Sequence, residues 1–479
     1  MSHGVAAQSQ LPRRTVTRGR PPRAATLAYR VLRGYFRLAL AVFYRRIEVE
    51  GAEQVPASGP LLLVANHTNA LLDPVVIGTQ LARPIALTAR TSMARSRFMG
   101  ALMRAAGAVQ LRRPQEEGAR DALPLSHNLD ALAALRQRLA AGQAVCVFPE
   151  GRSHSDVAMR PFERGAARLA LDYHAHGHPS GLWIVPVGLY FEAKSTFRSR
   201  VLVRFGTPLE VAAWAAANPT GRPRQLTEVL QARVAELTHE FAHPREAEGV
   251  LWAAEILETA GDPPPPLDHA ERPLAQRSRW VRRMLAVYRA LRENGDPELA
   301  AATDHLEQRV VAFRARLAAL GITPAEVFLP VHAARGAFFA LRELELVVLG
   351  LPMAAWGTLT QLVPTWLTRR MAARMTTDRE QFVSNFVFLS LVVFPVCHLI
   401  QLGVVAASVP LVGTLAYAAS LPLTGTYAVL YGTRVGGVVQ RIRTFLCFAR
   451  EPGLQEDLAQ EGREILAEMH RLADLLPDA

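Results

Sequence analysis

The sequence predicts an α/β domain with a mostly parallel central sheet flanked by helices, followed by a helical connector and a helical membrane segment. Two observations carry this reading. Between Gly59 and Gly206 short apolar runs alternate with helix-like segments, the pattern of a layered α/β fold. Farther along, no charged residue occurs from Gln381 to Thr433, a run of 53, or from Leu346 to Thr368, a run of 23. A membrane crossing needs roughly 20 apolar residues. With 479 residues, half of them hydrophobic, the chain can build several cores and is too apolar for a disordered scaffold.

Taken in order, residues 1–23 read as a disordered basic tail, rich in Pro, Gly, Ser and Thr. Residues 1–47 hold ten arginines and no acid. Residues 24–46 form an amphipathic helix in which Arg30, Arg33 and Arg37 share one face and Val31, Leu32, Phe36, Leu38 and Phe43 fill much of the rest. That composition suits a helix lying in a membrane interface; the alternative is a helix packed on the domain with an arginine edge. Its longest uncharged run, Leu38 to Tyr44, is too short for a signal peptide or a span. The α/β domain is assigned to 47–215, with strands at 61–65, 85–87, 108–111, 144–148, 182–187 and 201–205. Its helices fall near 74–82, 97–106, 124–141 and 161–176. After Pro208 the strands stop, and 216–343 is a helical connector interrupted at 261–266 and 294–297. Residues 344–433 are the membrane segment, and 434–479 end in an amphipathic helix. No internal repeat is present.

The charge balance of 54 basic to 42 acidic residues, or +12, points to polyanions: nucleic acid, phosphorylated metabolites or anionic lipid. Every basic residue except Lys194 is arginine. Nucleic acid is the weaker reading, because the arginines are scattered and the most basic stretch adjoins an amphipathic helix. Cys146, Cys397 and Cys447 have neither the number nor the spacing of a disulfide framework or a zinc site. His174, His176 and His178 alternate at a helix end without cysteine or acidic partners, so no metal site is predicted. A serine hydrolase is disfavoured because no Gly-x-Ser-x-Gly turn exists.

The chemistry gathers at strand ends, where open α/β sheets place their ligands. The strand ending at Ala65 is followed by Asn66-His67-Thr68-Asn69-Ala70-Leu71-Leu72-Asp73-Pro74. His67 is a candidate general base. Six positions along an α-helix turn through about 600°, so His67 and Asp73 can meet only if a loop joins them. Asp73-Pro74 reads as an N-cap followed by proline at the first helical position, a role compatible with holding the imidazole. Arg112 and Arg113 follow the strand at 108–111. Phe148-Pro149-Glu150-Gly151-Arg152-Ser153-His154 follows the strand at 144–148, with a glycine that permits close backbone approach and an arginine suited to an anion. Later, Ile184-Val185-Pro186-Val187-Gly188 puts a proline inside a strand.

These four blocks, in this order and over about 125 residues, resemble the glycerolipid acyltransferase superfamily. The wording is most similar to the branch of glycerol-3-phosphate and dihydroxyacetone-phosphate acyltransferases. In the family the first block holds a His-x4-Asp pair; here the spacing is His-x5-Asp, one residue that a loop can absorb. The resemblance makes 47–215 an acyltransferase domain and implies His67 as base and Asp73 as its orienting carboxylate. It implies Arg113, with Arg112 as alternate, and Arg152 as ligands of an acceptor phosphate, with Glu150 facing the acceptor's free hydroxyl and Gly151 opening backbone amides to it. Val185, Pro186 and Val187 would lie beside the acyl chain. The implied partners are a bilayer, a phosphorylated glycerol acceptor and an acyl thioester donor, acyl-CoA or acyl carrier protein, with no cofactor, no metal and no nucleic acid. The alternative is a membrane-anchored lipid-binding or scaffold protein that has lost activity. A multi-pass membrane location is expected, in the cytoplasmic membrane if the source is bacterial, with the active site facing the cytoplasm. Keeping every arginine cluster inside requires 346–368 to be re-entrant or interfacial, broken near Pro352 to Gly357. Residues 381–433 then form a two-span hairpin with its tip near Pro410.

Overall fold

The computed structural model describes residues 26–90, 103, 109–111, 126–178, 180–194, 196–261, 272–328, 333–376 and 379–476. The basic tail at 1–23, most of the helix expected near 97–106, and Arg112 and Arg113 lie outside the described residues.

All six predicted strands are present. Strands β1 (Arg46–Glu50), β2 (Leu61–Ala65), β3 (Ile85–Arg90), β4 (Val109–Leu111), β5 (Ala144–Val147), β6 (Trp183–Phe191), β7 (Arg200–Phe205) and β8 (Leu209–Glu210) form one sheet of order β1-β7-β6-β2-β5-β3-β4, with β8 against β6. Five pairs are parallel; β6–β7 and β6–β8 are antiparallel. β1 escaped the sequence reading because Arg46, Glu48 and Glu50 put a charge at every second position, as an edge strand does. The fold uses those charges. The Glu48 carboxylate accepts the amides of Leu274 and Ala275 at 2.7 and 2.9 Å, at the start of a later helix, and Glu50 accepts from Arg204 at 2.8 Å.

Two apolar layers sandwich the sheet, and successive residues of β2 serve them alternately, as the pleat dictates. Leu61, Leu63 and Ala65 join Cys146, Val185 and Val187 under helices α1 (Leu27–Phe43) and α2 (Leu72–Gln80). Leu62 and Val64 join Val145, Val147 and Ile184 under α3 (Ser126–Ala140), α4 (Gly165–Ala175) and, beyond the short α5 (Val211–Ala217), α6 (Pro223–Ala235). The N-terminal amphipathic helix is therefore packed on the domain: Phe36, Leu40 and Phe43 are buried, and the Arg33 guanidinium donates to the carbonyls of Thr79, Leu81 and Ala82 where α2 ends. Its other apolar side chains, Leu27, Val31 and Leu38, remain exposed.

The connector comprises α7 (Pro244–Ala260), α8 (Leu274–Glu293), α9 (Pro297–Leu320) and α10 (Pro324–Val327). The C-terminal helix α14 (Leu454–Asp474) returns to it, burying Leu458, Ile465 and Met469 against Leu257, Phe313 and Leu317, with Glu468 and Glu461 paired to Arg309 and Arg316.

The helices between are α11 (Ala333–Met375), α12 (Arg379–Ala406) and α13 (Leu411–Arg450). The break expected near Pro352 to Gly357 is absent: α11 runs through both Pro352 and Pro364. At Pro364 the missing N–H orphans the Thr360 carbonyl one turn earlier, and Gln401 Nε2 of α12 fills that vacancy at 2.9 Å. The neighbouring Gln361 bonds His398 of α12 at 2.9 Å and the Leu421 carbonyl of α13 at 3.1 Å, so one turn of α11 ties all three helices. Among the described residues two helical stretches are long and apolar enough to cross a membrane, Val347–Met375 and Phe382–Ala406. They are not the pair expected, which was the two halves of 381–433; α13 instead continues past Arg434, Arg441 and Arg443 to Arg450. The boundaries drawn at 343 and 433 both fall inside continuous helices.

One buried histidine sets a pH dependence for the α/β–connector junction. His239 Nε2 lies 2.6 Å from Ser278 Oγ, which also accepts from Arg204 at 2.8 Å, and burial together with the Arg204 charge pushes His239 down to about 3. The unfolded chain, with an ordinary histidine near 6.5, binds a proton in the window from about 6.5 to 3 that the folded chain does not, so stability falls as pH falls. His239→Gln should flatten thermal stability measured from pH 6.5 to 4.5 in detergent, removing up to about 1.4 kcal/mol per pH unit; an unaltered slope would show that another group sets it.

Candidate active site

The carboxyl ends of β2 and β5, adjacent in the sheet, bring the first and third sequence blocks together. After Ala65 the chain leaves the sheet, turns at Asn69–Leu72 through a 3.0 Å bond from the Leu72 amide to the Asn69 carbonyl, and enters α2. Helix α2 begins at Leu72, so Asp73 lies within its first turn and is not the N-cap. Its carboxylate points back into the loop: Oδ2 lies 2.8 Å from His67 Nδ1 and accepts the Asn69 amide at 2.7 Å. The expected pairing of His67 with Asp73 is thus formed. Asp73 is fully buried, whereas the His67 side chain keeps 16% of its surface exposed, enough to meet a substrate from one edge. Phe148 stacks on the imidazole with centroids 4.3 Å apart.

The imidazole's backbone is fixed from both sides. Glu150 Oε1 accepts the His67 amide at 2.5 Å, and the His154 amide donates to the His67 carbonyl at 3.2 Å. Asn66, buried just before it, exchanges two hydrogen bonds with the backbone of Leu189 at 3.0 and 2.7 Å, clamping β2 to β6. Ala70 sits at φ +43°, a strained value for a residue with a side chain, so the loop needs such anchors.

Glu150 does not face an open acceptor pocket. Its side chain is wholly buried, Oε1 is taken by His67, and Oε2 accepts the Arg160 amide at 2.9 Å and the His154 ring. The Asp156 amide donates to His154 Nδ1 at 3.2 Å, which leaves the ring proton on Nε2, directed at Glu150. Gly151 takes φ +75°, and a Cβ there would come within 2.9 Å of Glu163 Oε1; its own amide closes the turn onto the Phe148 carbonyl at 3.1 Å and is not presented to a ligand. Arg152, the next residue, is exposed beside this turn. Val185, Pro186 and Val187 are buried in the middle of the sheet, with Pro186 opposite Val64. The two valines belong to the layer beneath α1 and α2, so they form its packed floor and not an open groove.

Sequence reasoning missed Asn66, Asn69 and His154. Each stands inside one of the blocks, but nothing in spacing distinguishes a residue held by its neighbours, as the Asn69 side chain is by the Tyr44 hydroxyl at 3.3 Å, from one that meets a ligand. Among the described residues no group of three His, Cys, Asp or Glu side chains is placed to hold a metal. Of the alternating histidines, His176 binds the Asp172 carbonyl and His178 stacks on Tyr173, while His174 is exposed.

Glu150→Ala should strand the His67 and Arg160 amides and the His154 ring, each costing about 1–3 kcal/mol when buried without a partner. A fall of several degrees in the melting midpoint is expected, against little change for His67→Ala; equal midpoints would mean that Glu150 does not hold the loop.

Residues 46–190 match the family model described as Acyltransferase. An uncharacterised acyltransferase of Schizosaccharomyces pombe is 25% identical, over 35% of this chain and 37% of its own length. The 1-acyl-sn-glycerol-3-phosphate acyltransferase of Borreliella burgdorferi is 25% identical over 34% of this chain and 59% of its own. Glycerol-3-phosphate O-acyltransferase 1 of Saccharomyces cerevisiae is 35% identical over 16% of this chain and 10% of its own. The chain therefore spans less than two thirds of each of these relatives. The crystal structure of the 1-acyl-sn-glycerophosphate (LPA) acyltransferase PlsC from Thermotoga maritima aligns with 44% of this chain and 79% of that one, at 19% identity and a TM-score of 0.32. The imidazole–carboxylate pair at the end of β2 and the Phe-Pro-Glu-Gly turn at the end of β5 both lie inside residues 46–190, the region that matches the Acyltransferase family model.

Proposed function

We propose that this chain is a membrane-bound O-acyltransferase of phospholipid synthesis. It moves a fatty acyl group from an acyl thioester, acyl-CoA or acyl carrier protein, to a hydroxyl of glycerol-3-phosphate, dihydroxyacetone phosphate or 1-acylglycerol-3-phosphate. The observation that carries this reading is the 2.8 Å contact between His67 Nδ1 and the buried Asp73 carboxylate, on an imidazole whose other edge is open. Asp73 holds the proton on Nδ1, so Nε2 is free to take the hydroxyl proton as the oxygen attacks the thioester carbonyl. The resulting imidazolium is stabilised by Asp73. When the tetrahedral adduct collapses, the C–S bond breaks and the departing thiolate takes that proton, leaving an ester and a free thiol. The exposed Arg152, with Arg113 or Arg112, supplies the planar fork that suits the acceptor's phosphate. An inactive scaffold would have no need of an oriented imidazole, and this favours the enzyme.

In a membrane assay with labelled acyl-CoA and each acceptor offered separately, His67→Ala should lower transfer about 10²–10⁴-fold and Asp73→Asn should impair it by misorienting the ring. Arg152→Lys and Arg113→Lys should raise the acceptor's KM more than the donor's. Near-wild-type transfer by folded His67→Ala would end the catalytic assignment.

The membrane reading follows from where the arginines and contacts fall. The start of α12 packs on the catalytic domain, with Arg369, Arg370 and Arg374 just before it and Arg379 its first residue. The far end of α13, after Arg434, Arg441 and Arg443, leads into α14 on the connector. With α11 lying along the membrane interface and not crossing it, both clusters stand on the side of the active site, which we place in the cytoplasm, where acyl thioesters are found. Cysteines engineered at the exposed positions Ala373 and Gly436 should resist an impermeant thiol reagent until intact cells are permeabilised; labelling at either one beforehand would refute this orientation.

A further inference from the structure

The catalytic loop is held by a residue 315 positions away in the chain. Ser384, in the second turn of α12, is 1% exposed, and its hydroxyl donates at 3.2 Å to the carbonyl of Asn69. That carbonyl already receives the Leu72 amide at 3.0 Å, so Ser384 occupies its second lone pair and completes the coordination of the peptide between Asn69 and Ala70. The peptide lies between two critical features. On one side is the Asn69 amide, which holds Asp73 Oδ2 at 2.7 Å; on the other is Ala70, strained at φ +43°. Rotation of this peptide, which changes ψ of Asn69 and φ of Ala70, would relieve Ala70 and release the turn that sets Asn69 against Asp73, loosening the bond from the Asn69 amide to the carboxylate that orients His67.

The surroundings make Ser384 a fixed donor. Val383 and Val387, 5% and 4% exposed, belong to the same buried layer as Ala65, Leu72 and Val187, and the Phe388 ring lies 5.5 Å from that of Phe36 on α1. The first turns of α12 are thus part of the α/β core, and the helix continues without interruption into the apolar stretch ending at Ala406.

We propose that Ser384 is a positioning residue for the His67–Asp73 pair, so that a helix of the membrane segment fixes the geometry of the catalytic loop. The proposal rests on the acyl-transfer reading of the same site. Loss of the hydroxyl leaves the Leu72 bond in place, so the loop loosens without unfolding, and the effect passes through Asp73.

The test uses the full chain in membranes or detergent. Ser384→Ala should lower kcat about tenfold, with both KM values within twofold of wild type and the melting midpoint nearly unchanged. Val387→Ala, which thins the same helix packing without touching Asn69, should lower the midpoint more than kcat. The decisive comparison is the double variant: added to Asp73→Asn, Ser384→Ala should cost little more, because its route to the imidazole is already cut. A full tenfold loss in both backgrounds, or no loss in either, would overturn the proposal. Should Ser384→Ala misfold, Ser384→Cys, similar in size but a poor donor, is expected to give the same pattern. A second readout needs no turnover: carbethoxylation of His67, followed by peptide mass spectrometry with the exposed His305 as internal reference, should be several-fold faster in Ser384→Ala and no faster still in the double variant. Unchanged His67 reactivity would overturn the positioning role even if wild type acylated none of the acceptors offered, an outcome that would sink only the acyl-transfer reading.

Discussion

A carboxylate six residues beyond an imidazole reaches it only if the chain between them folds back, and the contact between His67 and Asp73 therefore depends on whatever holds a strained turn closed. The turn cannot hold itself. Ala70 occupies the left-handed region, and within the loop only the Leu72 amide and the Asp73 carboxylate bind its backbone. The other restraints come from four places: Glu150 and His154 after β5, Asn66 anchored on β6, Ser384 on α12, and the Tyr44 hydroxyl, which accepts from Asn69 Nδ2 at 3.3 Å. Parallel β2, β5 and β6 run side by side, and so deliver the first two restraints to one edge.

The Phe-Pro-Glu-Gly block owes its place to this task. A buried carboxylate without partners would be expensive, and Glu150 escapes that cost by accepting two amides and one imidazole N–H. The consequence is a division of labour along seven residues: Phe148 stacks on the His67 imidazole, Glu150 and His154 hold its backbone, Gly151 makes the turn, and Arg152 alone projects toward solvent.

Polar side chains also decide how the apolar helices assemble. Between apolar helices, packing alone supplies little preference for one arrangement, and hydrogen bonds or small residues select it. Gln361 and Gln401 do so here by satisfying backbone carbonyls across helices, one of them orphaned by Pro364. Gly357 lets the Thr424 carbonyl approach closer than any Cβ would allow. Because α1 and the start of α12 share one buried layer with the sheet, the α/β domain and the apolar helices are joined by a core and not by a flexible linker.

Much was legible in the sequence. Alternation located β2 to β7, because a buried parallel strand must be continuously apolar, and the charge-free runs marked the apolar helices, because so long a stretch is rarely left in water. Residue types at strand ends were enough to name His67 and Asp73 and to require a loop between them. What sequence could not supply was direction. Glu150 was placed against a hydroxyl by resemblance, and a carboxylate after a strand reads the same whether it points out or in; only the packing of His154 and the His67 amide around it turned it inward. Proline read as a break in α11, since local rules count the N–H it lacks and not the Gln401 amide that arrives from another helix. Ser384 carried no signal at all, being one hydroxyl in an apolar helix, and acquired its role when the fold set it against Asn69. Periodicity and composition are properties of neighbouring residues, so the sequence by itself determined the elements and the chemistry available at their ends. Which donor meets which acceptor depends on contacts between residues up to 315 positions apart, and only the tertiary structure decides those.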